Sequence, residues 1–361
     1  MPPAPNDCDA WLRLTLISGL GPVALRSLLR EFGAPDRVLA ARSAELGRFV
    51  APEIASRISA GGDAEGAQRA LAWLADSANH LVTLGDADYP ELLLQTADPP
   101  PLLYVKGRRE LLRRPALAIV GSRNATAQGI ANAEDFARAL SDAGVTIVSG
   151  LALGIDAAAH RGGLAGAASS IAIVGTGLDV VYPARNRDLA HELAVRGALV
   201  SEFPLGTPAL GGNFPRRNRV ISGMSRGCLV VEAALLSGSL ITARFANEQG
   251  REVFALPGSI HSPLAKGCHA LIKQGAKLVE SANDVLEELN LAAPSAPAHA
   301  VPELDAEAAQ LLDLLGYDPT GLNAVCTRSG LGVDAVSALL LRLELHGMVE
   351  RLPGGQFQRV R

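Results

Sequence analysis

The chain has 361 residues, of which 48% are hydrophobic and 19% charged, with a formal net charge of −4. This length suits two or three domains, and the composition is that of a globular protein rather than a disordered one. The charge excludes a protein that coats duplex DNA with a broad basic surface. With only 4% aromatic residues, a long channel of stacked bases is also disfavoured.

The four cysteines lie far apart and form no C-x-x-C pair, which is typical of a reducing compartment and predicts no metal site. No apolar run reaches the length of a membrane span, and the first ten residues lack the pattern of a secretory signal. We therefore expect a cytoplasmic protein with no metal, no cofactor and no membrane attachment.

Residues 1–80 have the pattern of a small helical domain. Apolar residues recur at helical spacing on both sides of Gly19-Leu20-Gly21-Pro22, which predicts a helix-hairpin-helix element. Its glycine turn either directs backbone N–H groups at a DNA phosphate or serves only as a packing unit, and the sequence leaves both open. Two further helices are expected over residues 51–60 and 66–77.

Residues 81–289 alternate strands with helices. Two lead-in strands, at 81–84 and within 98–107, are expected to extend a sheet. Its further strands are predicted at 117–121, 146–150, 169–175, 198–203, 228–233, 252–258 and 277–281. Helices are predicted between them at 129–143, 155–165, 186–196, 219–224, 240–249 and 268–274. Because the strands are nearly unbroken apolar runs, we expect an extended Rossmann-like α/β domain with a doubly wound, mostly parallel sheet.

An uncharged segment rich in Ala and Pro, residues 290–302, is expected to be a linker. Residues 303–361 then have the order helix, helix, helix and β-hairpin, which predicts a winged-helix-like domain. Its helices are expected at 305–315, 320–329 and 333–346. Since acidic residues outnumber basic ones in this segment, the pattern favours a protein contact over DNA reading.

The candidate ligand-binding residues are in the loops at the carboxyl ends of the predicted strands, because ligands of an open parallel sheet bind there. Gly121, Ser122, Arg123 and Thr126 follow the first strand of the parallel series and precede a helix. Hydroxyls, a guanidinium and a helix N-terminus all suit phosphate oxygens. The loop lacks the second glycine of a dinucleotide fingerprint and the G-K-[ST] of a P-loop.

The densest basic cluster follows the fourth strand and is expected to be a loop. Its members are Phe214, Arg216, Arg217, Asn218 and Arg219. Arginines neutralise phosphates and the aromatic ring offers a stacking face, so the cluster predicts a nucleic-acid contact.

A second hydroxyl-rich helix entry follows the fifth strand, at Ser237, Gly238, Ser239 and Thr242, and Lys266 follows the sixth. A mononucleotide needs one or two such loops. A row of them along one edge suits a polymer backbone.

The second strand leads into Gly150 and then Asp156, which is expected to be the N-cap of the helix that contains His160. A cap and a satisfied polar residue explain this pair more simply than a catalytic role does. Gly175-Thr176-Gly177 and Tyr182-Pro183 follow the third strand, and a tight turn explains that glycine pair adequately.

Taken in order and spacing, these motifs resemble the DNA-processing protein A (Smf) family over residues 80–290. The segments that carry the resemblance are Gly121-Ser122-Arg123 with Thr126, 149–156 with His160, 214–223, Ser237-Gly238-Ser239 with Thr242 and Leu256-Pro257-Gly258. The resemblance implies an extended Rossmann fold that binds single-stranded DNA, forms a homodimer and helps to load RecA recombinase in natural transformation. It implies no catalytic activity.

By the same resemblance, Ser122, Arg123 and Thr126 would hold phosphates, and residues 214–219 would supply a base pocket and further backbone contacts. One departure is His269, which stands where the family usually has Asn. The full set of residues expected at the DNA is Gly121, Ser122, Arg123, Thr126, Gly150, Phe214, Arg216, Arg217, Asn218, Arg219, Ser237, Gly238, Ser239, Thr242 and Lys266.

Two enzyme classes are the alternatives. A nucleotide-processing Rossmann enzyme of the phosphoribohydrolase type would use a P-G-G-x-G-T loop, which is absent, although Glu232 follows a strand at a comparable place. A dinucleotide-dependent oxidoreductase would need the missing glycine fingerprint and a ribose-binding acid, a role that Asp142 fills poorly.

Overall fold

The computed structural model describes residues 5–291 and 304–360. The chain divides into two compact units, Met1–Asn124 with Ala133–Ala292 and Ala125–Asn132 with Ala293–Arg361. Most of the expected linker, residues 292–302, lies outside the described residues. The domain boundaries at 80, 289 and 302 remain predictions.

The N-terminal part is helical, as expected. Its helices are α1 (Pro5–Thr15), α2 (Pro22–Phe32), α3 (Pro35–Ala40), α4 (Ser43–Leu46), α5 (Pro52–Ser59) and α6 (Ala64–Trp73). Gly19, at φ +90°, makes the turn between α1 and α2, a backbone conformation that favours glycine. The short helices α3 and α4 were not predicted, because six and four residues are too few to show a helical period.

A nine-stranded sheet forms the centre of the larger unit. Its strands are β1 (Asn79–Thr83), β2 (Leu102–Gly107), β3 (Ala116–Val120), β4 (Thr146–Ser149), β5 (Ser170–Ile173), β6 (Ala198–Ser201), β7 (Gly227–Val230), β8 (Glu252–Ala255) and β9 (Lys277–Leu278). Their spatial order is β1-β2-β6-β5-β4-β3-β7-β8-β9. The strands from β6 to β9 in this order are parallel, whereas β1 and β2 are antiparallel additions at one edge.

Helices connect these strands and cover the sheet. They are α7 (Glu91–Leu94), α8 (Ala127–Asp142), α9 (Ile155–Ala165), α10 (Arg187–Arg196), α11 (Asn213–Gly223), α12 (Ser239–Glu248), α13 (Lys266–Lys273) and α14 (Ala282–Glu288). Leu117, Ile119, Ile147, Val148 and Ile171 are fully buried. Burial of consecutive strand residues on both faces is what the unbroken apolar runs predicted, and the doubly wound fold is confirmed.

One helix prediction was wrong. Residues 212–219 were expected to be a loop with a helix from Arg219, but α11 begins at Asn213. Pro215 is the third residue of this helix, where the missing backbone N–H has no intrahelical partner to lose. The first half of α11 is polar, so the apolar period begins only at Val220 and Ile221, both buried.

The C-terminal unit contains α15 (Ala306–Leu315), α16 (Leu322–Ser329), α17 (Val333–Leu345) and a small sheet of β10 (Thr320–Gly321), β11 (Val349–Leu352) and β12 (Gln356–Arg359). The sheet order is β10-β12-β11, and Leu311, Val325, Leu340 and Leu343 lie in its apolar core. This is the expected winged helix.

Within the described ranges, no single helix has both the length and the hydropathy to cross a bilayer. Together α16 and α17 pass on length and composition, but this pair is bent by 108°.

Candidate functional site

A cavity of about 750 Å³ lies at the carboxyl ends of β3 and β7. These strands are neighbours at the point where the sheet reverses its strand order, with β4 to β6 on one side and β8 and β9 on the other. Such a switch point is where open α/β sheets bind ligands. The cavity is bounded by the loops after β3 and β7 and by the first turns of α11.

The structure brings most of the predicted DNA-binding residues to this cavity. Those that line it are Gly121, Ser122, Arg123, Phe214, Arg217, Asn218, Ser237, Gly238, Ser239 and Thr242.

Five predicted residues do not line the cavity: Thr126, Gly150, Arg216, Arg219 and Lys266. The hydroxyl of Thr126 accepts the N–H of Gly129 at 2.9 Å and so caps the start of α8. The ammonium of Lys266 donates to the carbonyl of Ile260. Gly150 accepts a hydrogen bond from Arg217, and both Arg216 and Arg219 donate to Glu202.

The loop after β3 is fixed by backbone contacts. Ser122 donates its N–H to the carbonyl of Glu232 at 2.7 Å, and its own carbonyl accepts from the N–H of Ile155 at 3.1 Å. A Cβ at Gly121 would lie 2.6 Å from the Ile155 side chain. Glycine at this position is therefore required by close packing within the protein, and not only by the approach of a ligand.

Arg123 is exposed at the mouth of the cavity. Across residues 5–291 and 304–360, no hydrogen bond or ion pair is recorded for its guanidinium. An exposed planar cation with no hydrogen bond or ion pair among these residues is available to an anionic ligand.

Arg217, by contrast, is 6% exposed and is bonded to the protein. Its guanidinium donates to the carbonyls of Gly150 and Ile173, at the carboxyl ends of β4 and β5, and to the amide oxygen of Asn218. Arg217 therefore ties two strand ends to α11.

Asp156 lines the cavity floor beside Arg217, and its predicted role was wrong. It is the second residue of α9, and the N-cap is Gly154, at φ +73°. The Asp156 carboxylate accepts the N–H groups of Gly150 at 3.1 Å and Ala152 at 3.4 Å, which precede the helix. Because these donors lie in the loop after β4, the carboxylate orders that loop rather than capping α9.

Burial disfavours the charged forms of both residues on the cavity floor, Asp156 and Arg217. It raises the pKa of Asp156 and lowers that of Arg217 to about 10, while the charge of each partly offsets the shift of the other. Arg217 stays cationic at neutral pH.

Arg216 and Arg219 point to Glu202 instead of the cavity. Arg216 donates to the Glu202 carboxylate at 2.9 Å, and Arg219 donates to the same oxygen and to the carbonyl of Asp98. The Glu202 side chain is only 3% exposed, and burial raises its pKa against the opposing effect of the two arginines. The three arginines expected to act together are thus divided between two sites.

The loop after β7 contributes hydroxyls and a helix entry. The Ser237 and Ser239 hydroxyls lie 2.7 Å apart, and the Asn218 amide donates to the carbonyl of Gly238 at 3.4 Å, which links this loop to α11. The same loop contains Leu236, which is 99% exposed and lines the cavity. Sequence reasoning missed Leu236, because an apolar residue in a loop gives no signal of its exposure.

His160 is a satisfied core residue, as expected. Its Nε2 accepts the N–H of Leu151 at 3.2 Å, and its Nδ1 lies 2.8 Å from the Ser170 hydroxyl, which donates onward to the carbonyl of Ile147. Burial lowers the pKa of His160 to about 3, so the ring is neutral and Nδ1 carries the proton.

His269 stands where the family usually has Asn. The Nε2 atom of His269 lies 3.1 Å from the carbonyl oxygen of Gly258. This contact joins the start of α13 to the loop after β8.

Comparison with known proteins identifies the relatives of this chain. The family model for DNA recombination-mediator protein A matches residues 80–290, and that for the DprA winged helix domain matches residues 294–355. Protein Smf of Escherichia coli (strain K12) is 46% identical over 297 residues, covering 80% of this chain and 79% of that protein.

Two solved structures agree with this family. The X-ray structure of DNA processing protein A from Streptococcus pneumoniae has a TM-score of 0.70 at 36% identity, covering 80% of this chain and 99% of that one. DNA processing protein A from Helicobacter pylori, in a study of its single-stranded DNA binding mode, has a TM-score of 0.53 at 30% identity, covering 58% and 95%.

Proposed function

Because this chain belongs to the DNA recombination-mediator protein A family, we propose that it binds single-stranded DNA at the cavity between β3 and β7 and helps to load RecA recombinase on it in natural transformation. The observation that carries the proposal is that an exposed arginine, two hydroxyl-rich loops and an aromatic ring all line one cavity at the switch point of the sheet. Single-stranded DNA binding by the related Helicobacter pylori protein supports it.

Within this proposal the predicted residues fall into three groups. Arg123, the hydroxyls of Ser237 and Ser239 and the amide of Asn218 contact phosphates, and Phe214 stacks on a base. Thr126, Arg216 and Lys266 contact the strand outside the cavity. Arg217, Arg219 and Gly150 hold the loops in place.

A single strand suits this site better than a duplex. Bases are free to stack on an aromatic ring only when they are unpaired. A chain with a net charge of −4 also lacks the broad basic surface that duplex binding requires.

Fluorescence anisotropy with oligo-dT and with a duplex of equal length tests the proposal. We expect tight, salt-dependent association with oligo-dT and weaker association with the duplex. Preference for the duplex would contradict the proposed function.

We propose that the protein is not an enzyme. Among the described residues, no histidine lines the cavity, and Asp156, the carboxylate on its floor, is held by two backbone N–H groups. Glu232, the acid that a phosphoribohydrolase would use, is not among the lining residues. Incubation with nucleoside monophosphates tests this, and release of free base would revive the enzyme alternative.

The homodimer, the contact with RecA and the cytoplasmic location rest on the family resemblance and the cysteine pattern. Light scattering of the purified protein tests the dimer, for which we expect twice the mass of the 37.4 kDa chain. Co-precipitation with purified RecA, with and without oligo-dT, tests the contact.

A further inference from the structure

Tyr182 lies in the loop after β5 and packs against Phe214. The two ring centroids are 5.5 Å apart, and the ring planes meet at 35°. Tyr182 is 47% exposed, although it is large and mostly apolar, and the bond to Pro183 is cis. The two rings form a small aromatic platform at the carboxyl end of the sheet.

Phe214 is held firmly enough to support the second ring. A Cβ at Gly175 would lie 3.0 Å from the Phe214 ring, so the ring rests on a glycine backbone. The guanidinium carbon of Arg217 is 6.0 Å from the centre of the ring, at the limit of a cation–π contact. Tyr182 therefore packs against a ring that also contacts the loop after β5 at Gly175.

Tyr182 extends the site in a definite direction. Phe214 lines the cavity and Tyr182 does not, because Tyr182 follows β5, two strands away from β3 in the sheet order. A strand of DNA that leaves the cavity over Phe214 toward β5 reaches Tyr182 next. Within the described part of the chain, no hydrogen bond is recorded for the Tyr182 hydroxyl.

Two arginines follow Tyr182 closely. Arg185 and Arg187 are exposed, and no ion pair or hydrogen bond is recorded for either guanidinium among the residues the structure describes. Asp188 is the acidic residue beside them, and Asp179 is engaged by the N–H of Gly206 at 2.8 Å. Aromatic and basic side chains in one short segment are the combination that binds unpaired nucleotides.

We infer that residues 182–187 are a second nucleotide-binding element, in which Tyr182 stacks on a base and Arg185 and Arg187 neutralise phosphates. This inference rests on the proposed function, because it continues the same DNA path beyond the cavity. Residues 182–187 lie outside the cavity, and their sequence predicted no DNA contact.

Anisotropy titrations of Tyr182→Phe and Tyr182→Leu with oligo-dT test the stacking role. We expect Tyr182→Phe to bind nearly as the parent protein does, and Tyr182→Leu to lose roughly 5- to 150-fold in affinity. The salt dependence of Tyr182→Leu should be unchanged, whereas Arg185→Ala and Arg187→Ala should each reduce the slope of log K against log salt by about 0.7. Tyr317→Leu is the matched control, because Tyr317 is also half exposed but lies in the winged helix.

Two further measurements make the result decisive. An abasic oligomer should bind the parent protein and Tyr182→Leu equally, since it has no base to stack. Photocrosslinking of the unmodified protein to an oligomer with 5-iodouracil should label the Tyr182 peptide, which decides the case even if Tyr182→Leu does not fold. The inference would be overturned if Tyr182→Leu bound oligo-dT as the parent protein does, if it lost as much affinity for the abasic oligomer as for oligo-dT, or if no label appeared at Tyr182. Failure of the parent protein to bind oligo-dT would instead overturn the proposed function.

Discussion

Arg123 and Arg217 lie at the same cavity and have opposite surroundings. Arg123 is exposed and has no recorded partner among the described residues, whereas Arg217 is buried and donates to two backbone carbonyls. The sequence placed both in phosphate-binding segments, because residue type and strand-end position are all that it shows. Which arginine faces the protein depends on the orientation of α11, and that orientation is set by tertiary packing.

Arg123→Ala should weaken binding to oligo-dT, oligo-dA and oligo-dC by the same factor, because a phosphate contact carries no base information. The slope of log K against log salt should fall by about 0.7. Arg226→Ala is the control, since Arg226 is exposed and precedes β7, at the opposite end of the sheet. A change in base preference would show that Arg123 contacts a base instead.

Arg217→Met should destabilise the protein by about 3 kcal/mol or more, because it leaves two carbonyls without their donor and removes the buried cation beside Asp156. Urea unfolding measures this free energy. The double variant Arg217→Met with Asp156→Asn should recover part of the loss, and Arg216→Met, at a half-exposed position, should cost much less. If Arg217→Met keeps its stability and loses only DNA affinity, Arg217 contacts DNA directly.

At the scale of elements, the parallel strands were predictable and one functional helix was not. Strands buried on both faces are nearly continuous apolar runs, so β3 to β7, which are buried at every position, stand out in the sequence. The first half of α11 has no apolar residue at helical spacing after Phe214 and Pro215, because one face contacts the cavity and another faces Glu202. A helix that serves a site on two faces loses the apolar period by which helices are recognised.

His160, which lies in α9, should make the free energy of unfolding depend on pH. In the folded protein the pKa of His160 is about 3, whereas an unfolded histidine has a pKa near 6.5. Below pH 6.5 the unfolded chain therefore binds a proton that the folded chain does not bind. The free energy of unfolding is at its full value above this pH and decreases as the pH falls toward 3. Between pH 7 and pH 5 the loss from this residue should be about 2 kcal/mol.

Urea unfolding of the parent protein and of His160→Gln at pH 7 and pH 5 checks this expectation. Glutamine offers an oxygen to the N–H of Leu151 and a donor to Ser170, so the variant keeps the geometry without the titration. The other histidines are common to both proteins and cancel in the comparison. Equal pH dependence in both would show that His160 is not the responsible group.

At the scale of the whole molecule, the net charge of −4 is consistent with a DNA-binding site that is confined to a small part of the surface. The groups proposed to bind DNA lie at one edge of one sheet, and the winged helix contributes none of them. Its third helix, α17, instead exposes Leu341 and Leu345, which suits a protein contact better than a phosphate backbone.

The double variant Leu341→Glu with Leu345→Glu should therefore bind oligo-dT within about twofold of the parent protein, because it changes none of the groups proposed to bind DNA. Anisotropy at one fixed salt concentration measures this affinity. A loss of tenfold or more, with the fold intact by circular dichroism, would place the winged helix in the DNA path and contradict the protein-contact interpretation.

The central claim is that the cavity between β3 and β7, continued over Phe214, is the path of single-stranded DNA. A crystal structure of the protein with a short oligothymidine tests it most directly. We predict phosphates against Arg123 and the loop Ser237–Ser239, with a base on the ring of Phe214. A cavity that stays empty while the oligomer binds another surface would contradict the account.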